Sequence, residues 1–117
     1  MKGYNHVALI GNLVKDPENI ELGNTEKTNF LLAVSRNYKN ADKQEETDFI
    51  PIVSWGNLAK ICKDYLGKGK RVLIDGRIQV RHYEKDSVKK WVTEIIADEL
   101  TILSPPVKKE PKKSKAA

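Results

Sequence analysis

The sequence predicts an all-β protein with one helix, a small closed barrel of long strands. Three observations carry that reading. Apolar residues recur at every second position over long stretches, the spacing of a strand that buries one face. A single segment, Asn57–Leu66, shifts to a helical period, and it falls after the third long strand instead of alternating with the strands. At 117 residues the chain has material for one modest core.

Taken in order, Tyr4–Val14 (YNHVALIGNLV) is β-branched and apolar, and Gly11 marks a bulge or bend within this first strand. Lys15–Asn19 (KDPEN) is a turn, since Pro17 presets one dihedral and Asp16 bonds its local backbone. A short strand piece sits near Ile20–Leu22. Thr28–Tyr38 (TNFLLAVSRNY) is the second long strand; Phe30, Leu32 and Val34 share a face whose parity leads on to Arg36 and Tyr38. Lys39–Glu46 is a polar loop, and Thr47–Gly56 (TDFIPIVSWG) is the third long strand. In Asn57–Leu66 (NLAKICKDYL), Leu58, Ile61, Cys62, Tyr65 and Leu66 form one helical stripe, with Asn57 as N-cap and Gly67 or Gly69 as stop. Lys70–Tyr83 returns to period two: Val72, Ile74, Ile78 and Val80 on one side, Arg77, Gln79, Arg81 and Tyr83 on the other. Glu84–Lys90 makes a hairpin tip, and Trp91–Leu103 is the closing strand.

A sandwich would need about seven short strands. Five strands with a helix between strands 3 and 4 fit a five-stranded OB-fold barrel. Residues 1–104 form this domain. Residues 105–117 (PPVKKEPKKSKAA) have no apolar face to bury and read as a disordered, lysine-rich tail. That tail holds five lysines against one glutamate, so +4 of the net +5 sits there and the first 104 residues carry +1. Any site for a polyanion must therefore come from local arrangement of charge. No run approaches a membrane span and no signal peptide is expected, so the reading is a cytoplasmic protein with no membrane contact. The single cysteine excludes an internal disulfide.

Catalysis finds little support. His6 and His82 lack metal-spaced partners, Cys62 lies on the apolar stripe of the helix, and phosphate-loop and nucleophile-elbow motifs are absent. The expectation is a non-enzyme without metal or cofactor. The eight aromatics say more. Phe30 and Tyr65 fall in apolar stripes at the right period and are read as core. Tyr38, Phe49, Trp55 and Tyr83 instead sit beside basic or polar residues, among them Arg36, Arg77 and Arg81. Phe49, taken alone with Val53, fits a core face equally well. As a set, exposed rings flanked by cations make a platform on which unpaired bases stack while the cations hold phosphates. Lys43 and Lys85 are added as phosphate candidates from their position in the flanking loops.

Four segments, IGNLVKDPE (Ile10–Glu18), ETDFIPIVSWG (Glu46–Gly56), YLGKGKRVLIDGRIQVRHY (Tyr65–Tyr83) and VTEIIADEL (Val92–Leu100), resemble, in this order and spacing, the bacterial-type single-stranded DNA-binding proteins. These are OB-fold proteins of replication, recombination and repair. The resemblance implies base stacking on Tyr38, Phe49, Trp55 and Tyr83, the four that parity selects, and phosphate contacts at Lys68 and Arg81. It also implies a homotetramer, or a dimer, with His6, Val7, Ala8, Leu9 and Trp91 at the contact, and a bacterial, nucleoid-associated location. Family members often end in an acidic tip that recruits repair and replication enzymes; this sequence ends PKKSKAA, so such recruitment is not expected. A primosomal-type OB adaptor, binding DNA weakly and a protein partner, and an RNA-binding OB protein remain as rivals, the latter separable because a 2′-hydroxyl distinguishes the two nucleic acids.

Overall fold

The computed structural model describes residues 1–39 and 41–104, with Tyr38 and Lys39 described as strand backbone only. The tail from residue 105 onward lies outside the described residues. In chain order the elements are β1 (Val7–Leu13), β2 (Glu18–Leu22), β3 (Thr25–Lys39), β4 (Glu45–Trp55), α1 (Gly56–Tyr65), β5 (Arg71–Lys85) and β6 (Val88–Ile102). The strands hydrogen-bond in the order β1-β5-β6-β4-β3-β2, and β1 turns back onto β3. Five strands thus close a barrel, with α1 between the third and fourth of them, as expected. The short piece near Ile20–Leu22 is a full strand, β2, lying along the first half of β3.

Two short seams close the ring. One is Asn12↔Ala33 with Leu13↔Leu32 between β1 and β3. The other is a parallel pairing, Ile52↔Ile95 with Val53↔Ile96, between β4 and β6. The inward faces of Leu32, Ile52, Val72 and Ile74 are fully buried, and Phe30, Leu13 and Ile95 join them. The helix adds Cys62 and Leu66 to the same core. It is pinned by polar contacts as well: the Thr28 hydroxyl donates to the Ala59 carbonyl at 2.9 Å, and the Ser54 hydroxyl to Cys62 Sγ at 3.4 Å. Burial pushes the Cys62 thiol up from its ordinary range, against the weaker opposing effect of the Ser54 hydroxyl, so the thiol stays protonated and unreactive, in line with its place on the apolar stripe.

Several local expectations give way to the structure. No bulge occurs at Gly11, since the β1–β5 register runs unbroken through Ile10↔Leu73, Gly11↔Val72 and Asn12↔Arg71. The glycine serves a close crossing instead, because a Cβ there would collide with the Ala33 carbonyl. The bulge lies elsewhere. Asp75 pairs with Glu99 and Gly76 with Ala97, leaving Asp98 as the extra residue on β6. The helix begins one residue earlier than expected, with Trp55 as an extended N-cap making no side-chain bond and Gly56 at φ 65°; Asn57 is therefore not the cap. The buried helix face is Ala59, Cys62 and Leu66, while Ile61 and Tyr65 point to solvent. Tyr65, read as core from its period, is 60% exposed because the buried face centres on Ala59, Cys62 and Leu66 and Tyr65, like Ile61, falls on its flank.

The β3–β4 and β5–β6 ladders both run on beyond the ring as two-stranded arms. The β5–β6 arm pairs as far as Lys85↔Val88, and its turn is only Asp86–Ser87, tighter than the expected Glu84–Lys90. Both turn residues have positive φ, 55° and 66°, the twist that a two-residue hairpin prefers. The arm also explains a second difference. Ile78 and Val80 share the side of Val72 and Ile74 but stand past the barrel floor, so they are exposed where the other two are buried. Asn5 props the base of this arm: its side-chain amide donates to the Ile78 carbonyl at 2.8 Å and accepts from the Ile78 N–H at 2.9 Å, as a further strand residue would. No helix of the described residues is long and apolar enough to cross a membrane.

Candidate nucleic-acid interface

Residues paired across a ladder project to the same side of the sheet. Tyr83, Arg81, Gln79 and Arg77 alternate along β5 and face Lys90, Val92, Glu94 and Ile96 on β6. Ile96 is beside Val53 on β4, and from Val53 the same parity reaches Trp55, Pro51 and Phe49. Across the next ladder Trp55 pairs with Lys27, Val53 with Asn29, Pro51 with Leu31 and Phe49 with Ala33. One outer face, spanning four strands, therefore carries three of the four rings selected from the sequence.

None of those three rings is covered. Phe49 is 59% exposed, and Trp55 and Tyr83 are each 44% exposed. Phe49 belongs to the outer face and not to the core, even though Val53, on its own side, is buried between the flanking strands. Lys27 Nζ stands 5.4 Å from the centre of the Trp55 ring, a cation–π contact. The sequence reading missed Lys27 because it began the strand at Thr28; its value lies in its partner across the ladder, which spacing alone does not reveal. Tyr38 belongs to β3, within the register shift between Ser35 and Lys39, and its ring lies outside what is described.

The basic residues divide. Lys68 is exposed in the turn after α1, where its backbone N–H donates to Asp16 Oδ1 at 2.8 Å and ties that turn to the one before β2. Lys43, at φ 61° in the β3–β4 turn, and Lys85, at the end of the β5–β6 arm, are exposed. Arg81 lies on the face of the rings, its Nε on Glu94 Oε1 at 3.0 Å. Arg77 shares that face and is bound to Asp98 at 2.7 Å. Arg36 is turned the other way. It forks onto Asp48 and bonds Glu46 at 2.7 Å, both on the side of β4 that carries Ile50 and Ile52. The Arg36 guanidinium holds the Asp48 carboxyl below the usual carboxylate range. Charge on Arg36, Arg77 and Arg81 is thus already met within the chain.

The residues named for subunit contact form a separate group. Val7, Ala8 and Leu9 pair with β5 on one edge of β1, and among the described residues no strand covers the other edge before Asn12. His6 precedes them, its Nε2 3.3 Å from Asp75 Oδ1. Trp91 is 66% exposed and tilted against His82 with ring centres 4.9 Å apart. The Trp91–His82 pair shares the side of Ile78 and Val80, so it faces away from Phe49, Trp55 and Tyr83. Among the described residues no group of three or more metal-ligating side chains converges.

Residues 4–103 match the model of the single-strand binding protein family. The chain belongs to that family. Its members are DNA-binding proteins without enzymatic activity. The chain is 48% identical over 102 residues to a single-stranded DNA-binding protein of Clostridium tetani, covering 85% of this chain and 70% of that one. It is 46% identical over 102 residues to single-stranded DNA-binding protein 2 of Clostridium acetobutylicum, covering 85% and 76%. Among solved structures, a Plasmodium falciparum SSB in complex with ssDNA superposes with a TM-score of 0.80 at 27% identity, over 89% of this chain and 98% of that one. Family membership and fold agree with the resemblance read from the four sequence segments.

Proposed function

We propose that this single-strand binding family member covers and protects single-stranded DNA, with little sequence preference, during replication, recombination and repair in a bacterial cytoplasm. The observation that carries this is the outer face itself: three uncovered rings on one side of a rigid sheet, with Lys27 and Arg81 beside them. Every base has a flat π-face, so rings bind unpaired strands without reading sequence. Tyr38 completes the set of stacking residues by family resemblance. Phosphates fall to Lys68, Lys43, Lys85 and, by family resemblance, Arg81; Arg36 and Arg77, like Arg81 before a strand arrives, keep carboxylates of the sheet neutralised. A stacked, covered strand neither re-pairs nor meets a nuclease.

The test is a titration of oligo-dT, followed by tryptophan emission, at several salt concentrations. Each phosphate neutralised contributes about −0.7 to the slope of log affinity against log salt for single strands. Four cations therefore predict a slope near about −3, and Lys68→Ala a slope shallower by about 0.7. A flat salt response would remove the phosphate contacts from the account.

A second part of the proposal concerns assembly. The open edge of β1 at Val7–Leu9 offers unpaired backbone groups to a second copy. The exposed Ile78, Val80 and Trp91 face needs an apolar partner, so that a homotetramer uses both surfaces and leaves the rings free. Light scattering should return a mass near four times the 13.3 kDa chain. A monomer at the same concentration would leave both surfaces unexplained.

A further inference from the structure

Three arginines of the sheet meet carboxylates, and each does so with different nitrogens. Arg36 engages its whole guanidinium: Nε and Nη2 donate to Asp48, and Nη1 donates to Glu46. Arg77 gives a terminal nitrogen, Nη1, to the exposed Asp98. Arg81 is held by Nε alone, 3.0 Å from Glu94 Oε1. Its charge is met there, yet its terminal pair, Nη1 and Nη2, has no partner among the described residues, and half of the side chain is in water.

The acids differ as well. Glu46, Asp48 and Asp98 keep more than a third of their side chains exposed, whereas only 10% of the Glu94 side chain is exposed. A carboxylate set that deep in a sheet needs a cation beside it and has little room to turn away. The ladder fixes the meeting. Gln79 faces Glu94 across β5–β6 and Arg81 faces Val92, so Arg81 reaches Glu94 as a diagonal neighbour on the same side. On the other flank the β4–β6 pairing starts one residue further on, at Ile52↔Ile95, so the sheet has parted beside Glu94. Glu94 and Arg81 line the groove that opens there, together with Pro51, Val53 and Asn29. The guanidinium is thus fastened at its root to a buried anchor, with the fork beyond it unoccupied.

We propose that Glu94 is a positioning residue for DNA: it holds Arg81 at Nε so that Nη1 and Nη2 offer a ready, two-pronged seat to one phosphate. The inference rests on the single-stranded DNA reading above and deepens it, since Arg81 enters that reading by family resemblance alone. A planar guanidinium presents two parallel N–H groups to two phosphate oxygens, a match that a lysine ammonium lacks. A loose arginine loses much rotamer freedom in making that match. One already fastened at Nε has lost it beforehand, so less is lost on binding. The Glu94 charge also weakens the local field for a phosphate, so geometry and charge act in opposite directions here.

Glu94→Gln and Glu94→Ala separate the two effects. Both remove the charge, but the glutamine oxygen still accepts from the Arg81 Nε–H and the alanine methyl does not. Affinity for oligo-dT at fixed salt is expected to be roughly three- to tenfold higher in Glu94→Gln than in Glu94→Ala, the effect of one hydrogen bond. Made on an Arg81→Ala background, the same two substitutions should bind alike, because the group to be oriented is gone. A purely structural role for Glu94 would leave the difference in place. Arg81→Lys serves where Glu94→Ala does not fold: its ammonium meets Glu94 and has no second nitrogen left, so binding should weaken roughly three- to tenfold with the charge unchanged. Equal affinity of Glu94→Gln and Glu94→Ala, a difference that survives on Arg81→Ala, or an Arg81→Lys that binds like the unaltered chain overturns the proposal. Failure of the unaltered chain to bind oligo-dT would instead sink the DNA reading itself, so the two failures are distinct.

Discussion

Trp55→Ala is expected to abolish most of the tryptophan quenching that oligo-dT produces and to weaken binding about 5- to 150-fold, the range that 1–3 kcal/mol per stacked base implies. The chain has two tryptophans, and they lie on opposite faces. Trp55 is on the side of Phe49 and Tyr83 with Lys27 against its ring; Trp91 is beside His82 on the other. A base arriving on the outer face therefore reaches one indole and not the other. Trp91 supplies a signal in the variant that reports on folding while remaining insensitive to the strand. Full quenching in Trp55→Ala would move the binding face to the Trp91 side and reverse the assignment of the two surfaces.

The largest expected effect on stability is that of Ile52→Ala. Ile52 is fully buried, sits in the core with Leu32 and Ile74, and is one of only two β4 residues paired with β6. Truncating a buried isoleucine to alanine costs about 2–5 kcal/mol, because the lost contacts leave a cavity that the sheet closes only in part. For a domain near 100 residues each kcal/mol lowers Tm by roughly 4–8 °C, so calorimetry should show a drop on the order of 10–30 °C. Phe49→Ala, three residues away on the opposite face, has no such cavity to open, and the contrast between the two separates core from interface on a single strand. A shift of only a few degrees in Ile52→Ala would mean that the seam is not packed as the structure has it.

Alternation along strands was enough to sort faces. It put Phe49 with Trp55 on one strand, Tyr83 with Arg77 and Arg81 on another, and Phe30, Leu32 and Val34 together on a third, and the ladders then join the first two sets on one outer face. What alternation could not say is where the barrel ends. Ile78 and Val80 continue the side of Val72 and Ile74, yet coverage stops between them because β5 outruns its ring. Tyr65 was misplaced for another reason: a stripe at helical period tells which side is apolar, not which part of that stripe meets the barrel, and here that part is Ala59, Cys62 and Leu66. Contacts that depend on distant pairing were out of reach altogether. Lys27 over Trp55, Asp16 on the Lys68 N–H and Asn29 across from Glu94 each join segments whose register is decided by the closed ring. Arg36 shows the opposite error, a cation chosen for its neighbour in sequence that the fold commits to Asp48 and Glu46. Glu94 was passed over as one of many scattered acids, and only its burial distinguishes it.

The ring is closed by two seams of two residue pairs each, while the arms pair far beyond it. Closure and reach are consequently separate properties of this chain. Residues added or lost at the Asp86–Ser87 tip, or in the turn that leads into β4, lengthen or shorten an arm without disturbing Leu13, Leu32, Ile52 or Ile95. Editing two surface turns can thus change the reach of the arms while the scaffold that holds the rings stays the same.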